Sequence, residues 1–89
     1  MNQTEFQKII EKVKESGLSF KVYPNTYLIN VTDYEGVVQS FYCSTGTAIF
    51  RDGNDRYKQN RHTEYDMKLE RFIDLCSGKE DILEEFFSD

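Results

Sequence analysis

The chain has 89 residues, and no stretch of it approaches the roughly 18 consecutive apolar residues that a membrane-crossing helix needs. Its first ten residues, MNQTEFQKII, lack a basic segment followed by an apolar run, so the expectation is a cytoplasmic protein. Tryptophan is missing, and proline and histidine occur once each, as Pro24 and His62. The two cysteines, Cys43 and Cys76, form no C-x-x-C pair. With His62 they make three soft ligands, where a structural zinc site ordinarily takes four. A disulfide framework would need more cysteines in a chain this short. Both thiols are therefore expected to be reduced and to pack as small apolar side chains. A basic excess is also lacking: 11 Lys and Arg stand against 16 Asp and Glu, a net charge of −5. That balance argues against direct nucleic-acid binding, which leaves a strongly basic footprint.

What is present is aromatic. Seven Phe and six Tyr supply a core without Trp and argue against a disordered chain. The length suits one domain, residues 1–89, burying about 60% of its unfolded surface, with a stability on the order of 5 kcal/mol. The densest block of β-formers is Val37 to Phe50, VVQSFYCSTGTAIF, and polar segments flank it.

Thr4 followed by Gln7 reads as a capping box, and Phe6, Ile9, Ile10 and Val13 repeat at helical spacing up to Gly17. Leu18 to Tyr23 alternates as a strand, Pro24-Asn25 turns, and Tyr27 to Thr32 returns. After the turn at Asp33–Gly36 come a third strand, Val37 to Ser44, and a short fourth one at Ala48–Phe50. Gly46 marks a bulge or tight turn between them. Asp52-Gly53 suits a hairpin turn; Arg56-Tyr57-Lys58 is a candidate edge strand, and Gln59 to His62 reads as loop. Thr63 reads as the N-cap of a second helix, with Tyr65, Leu69, Phe72, Ile73 and Cys76 as its apolar face. A last short helix carries Ile82, Leu83, Phe86 and Phe87. The expected fold is α+β: an N-terminal helix, a three- to four-stranded antiparallel meander, and two C-terminal helices packed on the sheet.

No catalytic constellation stands out, and the chain reads as a non-enzyme with no cofactor. The cluster Ser44-Thr45-Gly46-Thr47 leads into a strand, whereas a phosphate-binding P-loop leads into a helix and ends in Gly-Lys-Ser/Thr. A catalytic Cys/His pair needs a third, orienting group and a pocket, and no spacing in the sequence brings His62 to either cysteine; His62 lies in a polar run just before a helix N-cap, so an exposed imidazole is expected. Glu84 and Glu85 are adjacent on a helix, where neighbours do not face each other, and no EF-hand loop surrounds them.

Charge is the most informative feature. Residues 64–89 hold nine acids (Glu64, Asp66, Glu70, Asp74, Glu80, Asp81, Glu84, Glu85, Asp89) and three bases (Lys68, Arg71, Lys79), a net of −6, while residues 1–63 are at +1. An acidic helical face attracts basic protein surfaces and repels nucleic acid. Glu70, Asp74, Glu80, Asp81, Glu84 and Glu85 are the candidate contacts, and Phe86 and Phe87 are candidate aromatic anchors, since two adjacent Phe do not share one stripe. The order of elements in a short acidic chain resembles some small phage-encoded inhibitors of bacterial defence, including anti-CRISPR proteins that mimic DNA. The resemblance implies a protein partner with a basic surface. A second copy of the chain is a further candidate partner. The alternative is a small nucleic-acid or nucleotide binder that uses the sheet and the hairpin residues Arg51, Arg56, Tyr57, Lys58 and Arg61.

Overall fold

The computed structural model describes residues 1–53 and 60–88. Helix α1 (Gln3–Glu15) leads into a five-stranded antiparallel sheet with strands in chain order: β1 (Phe20–Tyr23), β2 (Leu28–Thr32), β3 (Val38–Tyr42), β4 (Thr47–Arg51) and β5 (Arg61–Glu64). Helix α2 (Leu69–Cys76) and a single π-helical turn (Leu83–Phe87) complete the chain. The α+β class, the N-terminal helix and the meander agree with the sequence reading.

The strand count and the C-terminal helices differ from it. A fifth strand replaces the expected loop and the start of the second helix. Thr63 is a strand residue opposite Ile49, and α2 begins at Leu69 behind Lys68. The residues Arg61 to Glu64 alternate between the two sides of the sheet, and His62 and Glu64 are half-buried, so period-2 burial outweighs the capping potential of Thr63. The last expected helix is only the π-helical turn. At the N-terminus the cap is Asn2, not Thr4: its Oδ1 accepts from the Glu5 amide at 2.8 Å. The candidate edge strand at Arg56–Lys58 lies outside the described residues.

The register divides the strands' side chains into two sets. Val22, Ile29, Val31, Phe41, Gln39, Ala48, Phe50 and His62 point to one side, and α1, α2 and the C-terminal turn cover it. Phe72 on α2 lies 4.9 Å from Phe41 and 5.7 Å from Phe50, ring to ring. Phe6 and Val13 bring α1 onto the same core. One buried side chain in this set is polar. The Gln39 amide donates to Asp33 Oδ2 and to the Arg51 carbonyl, and accepts from the Arg51 amide, so it ties β3 to β4 where the backbone ladder ends. Among the described residues the opposite side has no helix over it. The cover that the described helices give is on one face, as an antiparallel sheet permits.

Candidate functional site

Two surfaces stand on opposite sides of the sheet. The first is the C-terminal layer, built by α2 and the turn after it. Here most of the six nominated carboxylates are already engaged by this chain. Glu70 pairs with Lys12 of α1 at 3.5 Å, and Asp74 lies 3.8 Å from Lys79. Arg71 holds Glu80 at 3.7 Å and binds Glu85 through Nη2. Asp81 caps the turn by accepting from the Leu83 and Glu84 amides. The backbone amide of Glu70 and the nearby Lys12 hold the Glu70 carboxyl below the usual range. Glu84 is exposed and borders a shallow hollow of about 390 Å³ formed with Asp52, Asn60, Leu83, Phe87 and Ser88.

The two C-terminal aromatics are both half-buried. Phe86 stacks on Phe50 at 4.7 Å and on the His62 ring at 4.5 Å, with the Arg71 guanidinium 5.9 Å from its centroid. Phe87 meets His62 edge-on at 6.4 Å and lines the hollow beside Leu83. His62 is therefore a packed strand residue, bound to Glu64 Oε1 at 2.8 Å, and not the exposed imidazole that its polar flanks suggest.

The second surface is the open face of the sheet. Its side chains are Lys21 and Tyr23 on β1, Leu28, Asn30 and Thr32 on β2, Val38, Ser40 and Tyr42 on β3, Thr47, Ile49 and Arg51 on β4, and Arg61 and Thr63 on β5. Three of these are basic and none is acidic, although the chain holds 16 acids. Arg51 Nη1 donates to the Val38 carbonyl and to Ser40 Oγ, and Ser40 donates to Asn30 Oδ1 at 2.7 Å. Arg51 and Arg61 are direct cross-strand partners. The hairpin candidates thus divide: Arg51 and Arg61 share this face, while Arg56, Tyr57 and Lys58 lie outside the described residues.

The remaining suspects have structural duties. The Gly46 amide donates to the Tyr42 carbonyl at 2.9 Å, so it is committed to the β3–β4 turn and not offered to an anion. Gly46 has φ +72, and a Cβ there would come within 3.1 Å of the Met67 carbonyl oxygen, which explains the glycine. Both thiols are free. Burial pushes the Cys43 thiol up to about 11, and burial followed by the nearby Asp33 charge pushes Cys76 up further. Neither has the thiolate character of a nucleophile. Among the described residues no three His, Cys, Asp or Glu side chains gather as metal ligands, and no helix is long and apolar enough to cross a membrane. Comparison with family models, curated proteins and solved structures finds no match to this chain.

Proposed function

We propose that the chain is a non-enzymatic binding module that docks a basic protein surface through its acidic C-terminal layer. The observation that carries this reading is the hollow beside the last turn. Leu83, 36% exposed, and Phe87 give it an apolar wall, and the carboxylates of Glu84 and Asp52, the latter also bound by Asn60, stand at its rim. A lysine or arginine side chain has the matching form, an aliphatic stem under a cationic head. The surrounding pairs of Glu70, Asp74, Glu80 and Glu85 are exposed or half-exposed contacts of the kind worth about 1 kcal/mol or less, so a partner's cations can exchange for the chain's own. An inhibitor of a nucleic-acid enzyme, acting in the cytoplasm and carried by a phage or mobile element, is one instance of such a module.

The test is capture from a nuclease-treated bacterial lysate with the wild type and with a combined Glu80→Gln, Asp81→Asn, Glu84→Gln, Glu85→Gln variant. The amides keep the hydrogen bonds and remove the charge. A basic protein retained by the wild type at low salt and lost by the variant is the expected result. Retention of the same protein by both would end this reading.

A further inference from the structure

The acidic layer leaves the other side of the sheet unexplained. Arg51 and Arg61 face each other across β4 and β5, and like charges directly opposite on a sheet oppose each other. Desolvation first, and the Arg61 charge second, lower the proton affinity of the Arg51 guanidinium. Arg61 is exposed, and its side chain makes no hydrogen bond or ion pair among the described residues. The next acid in sequence, Asp52, lines the hollow on the helical side, and among the described residues no carboxylate of the open face stands between the two arginines. Arg51 spends Nη1 on the Val38 carbonyl and Ser40 Oγ, so the two opposed arginines keep their charge with no acid of the described open face to balance it, and that asks for an external anion.

The rest of the face narrows the choice of anion. Toward β1 it holds an exposed lysine, Lys21, with its ammonium 5.3 Å from the ring centroid of Tyr23, which is 38% exposed. These two residues border a shallow hollow of about 250 Å³ with Asn30 and Val38. Strand spacing and rise put Tyr23 and Arg51 roughly 20 Å apart on a diagonal of the sheet. A small anion fills only one end of that diagonal. A second copy meeting this face with its own would set three cations against three. A chain of phosphates with a base at one end matches the whole diagonal, because a cationic track with an aromatic platform is how single strands are held.

We propose that the open face of the sheet binds single-stranded nucleic acid, with phosphates at the Arg51–Arg61 pair and at Lys21 and a base stacked on Tyr23. The acidic helices stand behind the sheet and repel a duplex large enough to approach both sides, so the preference is for a strand.

The experiment is fluorescence anisotropy of a labelled oligothymidylate and of a labelled duplex, titrated with full-length protein between about 50 and 200 mM salt. The variant pair Lys21→Glu, Arg61→Glu is compared with Lys8→Glu, Lys14→Glu, two exposed lysines of α1 that make the same change in net charge. The expected result is salt-sensitive binding of the strand, weakened more than tenfold by the sheet-face pair, a few-fold at most by the helix pair, and about tenfold by Tyr23→Ala. Equal losses in both pairs, or no saturable binding of the strand at the lowest salt, would overturn the proposal. So would duplex binding as tight as strand binding with Tyr23→Ala silent, which would leave a phosphate site only. Self-association, or binding to anionic vesicles, that is abolished by the sheet-face pair without any strand binding would also overturn it, giving the face to another occupant.

Discussion

Phe50 and Ile49 are neighbours in the chain and belong to different surfaces. Phe50 is fully buried, packed between Phe72 and Phe86 and beside His62. Ile49 is half-buried among Ser40 and Thr63, its cross-strand partners on the open face. The same five strands thus make a helix-covered side that holds the fold together and an open side that mixes cationic, hydroxylic, aromatic and aliphatic residues. Among the described residues the acids lie on the helices and loops, or are turned toward the covered side as Glu64 is. Strand alternation and the placement of the helices on one side together separate the charge, and this gives each side a different kind of partner to attract.

The largest test of that division is a pair of alanine substitutions one residue apart. Phe50→Ala removes a ring touched by two others and is expected to cost about 3–5 kcal/mol, comparable with the whole stability of a domain this size. Ile49→Ala is expected to cost about 1 kcal/mol or less, because its environment is already partly solvent. Urea denaturation of the two variants measures the contrast. Equal costs would mean that the open side is as structural as the covered one.

Gln39 is the next step down, because it is a polar group on the covered side. Its amide satisfies Asp33 and both backbone groups of Arg51. Gln39→Leu keeps the volume and strands those partners, at an expected cost of about 2–3 kcal/mol. A leucine that is neutral or stabilising in the same denaturation assay would show that the covered side tolerates an apolar junction between β3 and β4, and that Gln39 sets no register.

Much of the covered side was legible in the sequence. Phe6, Ile9, Ile10 and Val13 announced α1, and alternating β-formers announced four strands, because both patterns are local and apolar. The fifth strand was hidden by its inward residues. His62 and Glu64 read as polar, and they sit half-buried because each bonds the other and because Phe86, far along the chain, stacks on the imidazole. The acidic segment was legible as a charge, but its pairing was not: Arg71 meets Glu85 across 14 positions, and Lys12 meets Glu70 from the other end of the protein. The open face, whose strand residues include no acid, was the least legible feature, since it is assembled from alternate residues of five strands and exists only once their register is fixed.

Arg71 sharpens the acidic side of the comparison at a smaller scale. Its guanidinium spans Glu80 and Glu85 and lies over the Phe86 ring. Arg71→Gln is expected to cost about 1 kcal/mol or less, since the group is partly exposed. The same variant leaves the layer one charge more negative and is expected to retain more of a captured basic protein at a given salt concentration. Weaker retention would mean that Arg71 belongs to the contact and does not compete with the partner.

The smallest effect concerns the two thiols, which both belong to the covered side. Cys43 packs against the core from the β3–β4 turn, and Cys76 is buried on α2. Burial raises the Cys43 value from 9.0 to about 11 and shifts Cys76 in the same direction. A group whose folded value is raised keeps its proton in the native state after the unfolded chain has lost it. The folded state then binds more protons, so stability is full below about pH 9 and declines as the pH rises from 9 toward 11. Cys43→Ala is expected to flatten part of that decline in denaturation midpoints measured across the range. A thiol reagent at neutral pH is expected to label Cys43 slowly and Cys76 only on unfolding. Rapid labelling of Cys76 in the native protein would mean that α2 lifts from the sheet, exposing the covered side that the first pair of substitutions treats as closed.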